Sequence, residues 1–164
     1  RPDGLPATRF LFQRTDEELF IMGISRLFVY GSLMSGFWNH ERYCRDALTI
    51  EPAVTTGRLY HLPYGFPAMF DALDGQVLGE VMTFPDIAKT LEHLDRLEGY
   101  RPGDSRSHYI RIEKSVSILN GGKKAPAWVY VYPKERQRPD FILVPSGCWR
   151  RFLMPSIRCA SSHF

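Results

Sequence analysis

The chain has 164 residues, 44% of them hydrophobic and 24% charged, with a formal net charge of +3; that composition suits one domain around one sizeable core. Its basic residues are scattered, and pairs such as Lys123-Lys124 and Arg150-Arg151 are too short to make a nucleic-acid footprint. No apolar run approaches the roughly 20 residues of a spanning helix, so neither nucleic acid nor membrane is an expected partner.

Cys44, Cys148 and Cys159 are far apart and form no C-x-x-C pair. They read as free thiols in a reducing compartment, which points to the cytoplasm. His40 and Cys44 stand four residues apart, a ligand spacing on a helix, but two ligands do not make a metal site.

Residues 1–25 mix Pro2, Gly4 and Pro6 with the acidic Asp16-Glu17-Glu18. They contain neither a basic start followed by a long apolar core nor a small-residue cleavage site, so no secretory signal is expected. They read as an N-terminal extension, with Met22 a candidate internal start.

From Arg26 to Tyr30 a β-prone apolar run stops at Gly31-Ser32, as a buried strand entering a turn does. Asn39 is placed to cap a helix reaching about Ala47. Residues 54–62 form the next strand candidate, ended by Pro63, and residues 66–70 a short extended piece. Residues 76–84 read as a strand in which Gly79 marks a bulge or a close backbone approach.

Pro85-Asp86 opens the clearest helix, running to about Leu97, and Gly99 is placed to end it. Tyr109 to Leu119 alternates as a strand, and Asn120-Gly121-Gly122 is a strong hairpin signal. Residues 127–132 are its partner, stopped by Pro133, and residues 145–152 form a short terminal turn or helix. Strands outnumber helices and do not follow a regular βαβ order. The expected fold is therefore α+β: a mixed, curled sheet or small barrel with helices outside it. One domain over residues 26–152 and a C-terminal tail over 153–164 complete the division.

The helix before Gly99 carries the most informative side chain. At 100° per residue Ile87, Leu91, Leu94 and Leu97 gather into one apolar stripe, opposite Lys89, Glu92 and Arg96. Glu98 falls about 20° from Ile87, near the centre of that stripe. A carboxylate aimed at a core is costly unless it is paired, hydrogen-bonded or protonated. Geometry alone leaves two readings open. Either the helix ends at Leu97 and Glu98 turns to water or to Arg101 or Arg111, or Glu98 is a partly buried proton shuttle with a raised pKa. Asp95, at the stripe's edge, reads as a partner for a nearby amide or hydroxyl.

The turn Tyr30-Gly31-Ser32-Leu33 can present successive backbone N–H groups to an anion. It can also be an ordinary turn. The chain has no G-x-G-x-x-G, no Walker loop and no G-x-S-x-G elbow, and His61, His93 and His108 give Ser32 no recognisable base.

Four segments in order resemble the gamma-glutamylcyclotransferase-like superfamily. They are Phe28-Val-Tyr-Gly-Ser-Leu33, Gly57-Arg-Leu-Tyr60 with Phe66-Pro-Ala68, Val77-Leu-Gly-Glu-Val81, and Leu94-Asp-Arg-Leu-Glu-Gly99 with Tyr109 and Arg111 downstream. Together they span about residues 26–133. The resemblance implies a small barrel with its substrate cavity at the mouth and Glu98 as the catalytic glutamate. It implies an amide-lyase-type cyclotransferase that needs no cofactor and no metal, releasing 5-oxoproline and an amine from a gamma-glutamyl amide by internal aminolysis. Tyr30, Gly31, Ser32, Leu33 and Tyr109 are the expected substrate-binding residues, with Tyr109 and Arg111 orienting the loop after Glu98. The alternatives are a non-catalytic binding or regulatory module on the same fold, or a related enzyme acting on another amide. The leaving amine and the oligomeric state are not legible in the sequence.

Overall fold

Eight strands organise the computed structural model, which describes residues 23–156. They are β1 (Arg26–Val29), β2 (Thr49–Thr56), β3 (Arg58–His61), β4 (Pro67–Phe70), β5 (Gln76–Thr83), β6 (Ile110–Ile118), β7 (Lys124–Val131) and β8 (Ile142–Leu143). Three helices accompany them: α1 (His40–Tyr43), α2 (Ile87–Glu98) and α3 (Trp149–Leu153). A closed barrel runs β1-β5-β2-β6-β7, and β4-β3-β8 form a separate three-stranded sheet. The barrel is antiparallel except at its closure, where β1 meets β7 in parallel with Leu27 opposite Trp128. This is the expected α+β barrel flanked by helices. The extension over residues 1–22, including Met22, and the tail from residue 157 lie outside the described residues.

Buried side chains of the strands make the core: Leu27, Phe28, Val77, Val81, Val116 and Val129 are all fully buried or nearly so. Onto it packs α2 through Ile87, Leu91 and Leu94, and burial of a leucine-sized side chain stabilises by about 1.5–3 kcal/mol. Asp86 caps the helix by accepting from the Lys89 amide at 3.1 Å. At its other end Gly99 turns left-handed at φ +63°, the conformation that ends helices most cheaply when no Cβ is present.

The structure departs from the sequence reading at several points. The strand expected over residues 54–62 is two strands broken at Gly57, and β2 begins earlier, running across Pro52. Pro52 is tolerated because the β6 ladder covers only Ala53 and Val54. On that side Pro52 has no strand N–H to offer, and its carbonyl accepts from Leu119 N at 2.9 Å. The helix expected from Asn39 to about Ala47 shrinks to the four residues of α1, and Asn39 does not cap it. Its side-chain amide donates instead to Ser32 Oγ at 2.9 Å. Leu97 leaves the apolar stripe and is 37% exposed. Cys44 is a buried free thiol, but Cys148 is disulfide-bonded, so the expectation of three free thiols is corrected there. Among the described residues no helix is long and apolar enough to cross a membrane.

Candidate active site

The loop that leaves β1 is held from two directions. Met34 N donates to Gly31 O at 3.0 Å and Asn39 N to Ser32 O at 3.2 Å, while the His40 ring lies 3.0 Å from Leu33 O. The carbonyls of residues 31–33 are thereby engaged. Their amide nitrogens have no acceptor among the described residues, and all three residues line a cavity of about 450 Å³. Gly31 sits so close to β4 that a Cβ there would lie 2.8 Å from Pro67 Cγ.

Farther along the same loop, Glu80 of β5 forms the main anchor. Its carboxylate accepts from Ser35 N at 3.0 Å and Ser35 Oγ at 2.5 Å. Arg150 of α3 closes the brace, donating to Glu80 at 3.2 Å and to Ser35 O at 2.7 Å with its guanidinium over the Phe37 ring. The pair is mostly shielded from water, so removing one partner leaves polar groups unsatisfied. Glu80→Ala is expected to destabilise the protein by about 1–3 kcal/mol in urea unfolding. Glu80→Gln, which retains an acceptor for Ser35, is expected to lose less.

Glu98 is the last residue of α2, half-buried, and lines the same cavity as Gly31, Ser32 and Leu33. Its side chain has no hydrogen bond or ion pair among the described residues. Arg111 does not pair with it. That guanidinium is committed to Asp95 at 3.2 Å and stacks over the rings of Tyr100 and Trp128. Removal from water without a compensating charge pushes the Glu98 carboxyl up from 4.5 to about 7, since burial disfavours the ionised form. The half-burial and the strong shift agree if the carboxylate faces water only through the cavity mouth. The loop after Glu98 is tied to β6, with His108 N donating to Gly99 O at 3.0 Å and Tyr109 N to Glu98 O at 3.3 Å.

Three tyrosines line the cavity with this carboxylate: Tyr30 just after β1, Tyr109 just before β6 and Tyr130 in β7. Tyr30 donates to Tyr130 O at 2.7 Å and accepts from Met69 N at 3.2 Å. Tyr109 donates to Pro67 O at 2.8 Å. Tyr130 donates to Asp95 Oδ1 at 2.6 Å, so Asp95 does serve a hydroxyl, as its place on the helix predicts. All three phenols are pushed upward, chiefly by burial, and the Glu98 charge adds to the shift of each. They remain neutral and fix the shape of the cavity.

The structure thus brings Tyr30, Gly31, Ser32, Leu33, Glu98 and Tyr109 to one cavity. Sequence reasoning missed Trp38, Asn39, Tyr64, His108 and Tyr130, which also line it. Only Tyr130 left a usable trace, as an apolar-run residue on a strand. Ser32 Oγ accepts from Asn39 and donates to no histidine among the described residues, so the arrangement is not that of a serine hydrolase. A half-buried carboxylate with a raised pKa, in one cavity with a row of amides that have no acceptor among the described residues, is an arrangement able to bind an anionic small molecule and move a proton beside it.

Residues 27–151 match the model of the gamma-glutamyl cyclotransferase, AIG2-like family, and the chain belongs to that family. It is an enzyme of the gamma-glutamylcyclotransferase type. It is 34% identical over 130 residues to a protein of Methanocaldococcus jannaschii provisionally named a gamma-glutamylcyclotransferase, covering 77% of this chain and 96% of the relative. It is 33% identical over 128 residues to the gamma-L-glutamyl-butirosin B gamma-glutamyl cyclotransferase of Niallia circulans, covering 77% and 76%. An AIG2-like protein of Mus musculus superposes with a TM-score of 0.61 at 20% identity, covering 84% of this chain and 96% of that one. YkqA of Bacillus subtilis superposes with a TM-score of 0.59 at 26% identity; 80% of this chain is covered but only 42% of that longer protein.

Proposed function

We propose that this protein releases 5-oxoproline and a free amine from a gamma-glutamyl amide, with Glu98 as the single proton carrier. The observation that carries this reading is a carboxylate without a partner among the described residues, its pKa raised to about 7, lining the same cavity as Gly31, Ser32 and Leu33.

The α-amino nitrogen of the glutamyl group attacks its own γ-carbonyl carbon. A C–N bond closes the five-membered lactam as the C–N bond to the leaving amine breaks. The attacking ammonium loses two protons on becoming the lactam N–H. Glu98 takes them one at a time, the first as attack begins and the second as the tetrahedral intermediate collapses, and passes each to the departing nitrogen. That nitrogen leaves as an ammonium, so the carboxylate is regenerated. No water, metal or redox partner enters that balance. Backbone N–H groups at positions 31–33 receive the substrate carboxylate or the oxyanion that develops on the carbonyl. Walls built by Tyr30 and Tyr109 fold the substrate so that its two ends meet, an entropic saving that accelerates ring closure.

Incubation with a series of gamma-glutamyl amides and detection of 5-oxoproline tests the reading. Its absence with every member would refute it. The pH profile adds a second check. Glu98 must be ionised in the free enzyme to accept a proton, so kcat/KM is expected to rise with pH and level off above about 7. Below that value it should fall by roughly tenfold per pH unit. A limb near 4.5 instead would mean that the carboxylate is not desolvated in the free enzyme.

A further inference from the structure

Asp95 and Glu98 stand three residues apart on α2, a spacing that sets Cβ atoms about 5–6 Å apart on one side of a helix. Arg111, at the start of β6, donates to Asp95 Oδ2 at 3.2 Å, and the two side chains are only 6% and 20% exposed. Its guanidinium is further fixed over the rings of Tyr100 and Trp128, 5.4 and 5.0 Å from their centroids. Asp95 is held as firmly. Tyr130 donates to its Oδ1 at 2.6 Å, and the Tyr100 amide donates to its carbonyl at 2.8 Å. The strand that carries Arg111 is approached by the end of α2, where Tyr109 N donates to Glu98 O at 3.3 Å. The Tyr130 hydroxyl, pushed upward first by burial, also feels all three charges: Asp95 and Glu98 raise it and Arg111 lowers it. A guanidinium and the Glu98 carboxylate therefore act on one phenol, yet Glu98 itself responds to burial.

We propose that Asp95 is a positioning residue for the proton carrier: by engaging Arg111 it keeps that cation from pairing with Glu98, whose carboxylate stays free to take a proton and give it up. The inference rests on the reading of Glu98 given above. An opposite charge within about 4–6 Å lowers a carboxyl by about 1–3 pH units. An uncancelled guanidinium would bring Glu98 back toward an ordinary carboxylate, too weak a base to strip an ammonium well near neutral pH. Cancelled by Asp95, the guanidinium leaves desolvation to set the Glu98 value of about 7. The other titratable groups around Glu98 supply no counter-charge. Tyr30, Tyr109, Tyr130 and the Cys44 thiol are all pushed upward, chiefly by burial, and stay uncharged. His108 lines the cavity but makes no bond to Glu98 among the described residues. Glu80, whose charge also reaches Cys44, is held by Ser35 and Arg150.

The test reads the Glu98 carboxyl directly, from the pH dependence of its carboxyl-carbon NMR resonance in the free protein, assigned by its loss in Glu98→Gln. A rate profile alone would not separate Glu98 from His108. In Asp95→Asn the midpoint is expected to fall from about 7 by about 1–2 pH units, because the guanidinium left behind favours the ionised form. In Arg111→Gln the carboxylate left one turn away should push the midpoint above its parental value. The double variant, which keeps neither charge, should return close to that value. General loosening of the site would admit water and lower the midpoint in every variant, so opposite shifts that cancel are the signature of the pair. Folding of each variant is checked by Tm, and where Asp95→Asn does not fold, the rise in Arg111→Gln and its reversal in the double variant decide. The acid limb of kcat/KM, read from 5-oxoproline formation, should follow each midpoint. An unchanged midpoint in Asp95→Asn, or a downward shift in both single variants, overturns the inference and leaves the cyclotransferase reading intact. Shifts of the expected signs in a protein that forms no 5-oxoproline from any gamma-glutamyl amide overturn the reaction and uphold the hold of the pair on Glu98.

Discussion

Glu98→Gln is expected to lower turnover of gamma-glutamyl amides by about two to four orders of magnitude, the range that general acid–base groups contribute. The amide keeps the size and hydrogen-bonding shape of the side chain and removes only its capacity to hold and return a proton. The same substitution has an opposite consequence for stability. The folded-state value of about 7 lies above the ordinary 4.5, so the folded protein holds this proton more tightly than the unfolded chain does. Stability associated with the group is therefore full below about 4.5 and is lost as pH rises through about 7. Glutamine carries no charge to desolvate, so at pH 8 the variant should melt no lower than the parent and possess a flatter dependence of Tm on pH. A variant that turned over substrate at the parental rate would remove Glu98 from the reaction. A variant that lost activity and also unfolded would show that the carboxylate holds the fold instead. Activity and Tm together separate these outcomes.

Gly79→Ala is expected to produce a large loss of stability for a small chemical change. Gly79 lies in β5 beside β1, and a Cβ there would stand 2.1 Å from the Val29 carbonyl oxygen and 2.9 Å from Phe28 Cζ. A backbone oxygen has no rotamer to move into, so the strands themselves must separate. Over-packing of this kind costs about 1–3 kcal/mol and sometimes more, which for a domain of this size lowers Tm by roughly 5–10 °C. Because Val29 leads directly into Tyr30 and the amides at 31–33, KM should rise in the fraction that still folds. Gly23→Ala is the matched control, since the added methyl meets nothing within 4 Å and Tm should not move. Equal melting of the two variants would mean that β1 and β5 are not in such close contact.

The two glycines also show how far local pattern reaches. The interruption of residues 76–84 by Gly79 marked a close backbone approach, and the structure supplies the approaching strand. The stop at Gly99 and the hairpin signal at residues 120–122 were readable because a turn's requirements are confined to a few neighbouring residues. Pro52 misled for the complementary reason. Whether a proline is excluded from a strand depends on whether a neighbour needs its missing N–H, and the extent of the β6 ladder is not a local property. Asn39 failed similarly: its amide is drawn to Ser32, seven residues back, in competition with the helix end.

By itself the amino-acid order determined the strand-rich α+β class, the position of α2, and the turn of the helical wheel that sets Glu98 on the same side as Ile87. Those properties repeat over two to four residues and are imposed by backbone geometry. Only the tertiary structure decided that the last turn of this stripe, Leu97 and Glu98, meets a cavity while Ile87, Leu91 and Leu94 meet the core, leaving Glu98 without a partner among the described residues. It also decided which groups compensate one another. Tyr130 and Asp95 are 35 residues apart, Tyr30 and Tyr130 are 100 apart, and Arg150 and Ser35 are 115 apart. Barrel closure and strand register bring such pairs together, and both emerge from the packing of the whole sheet. The chemistry of one side chain was therefore visible early; its freedom to act was settled by everything around it.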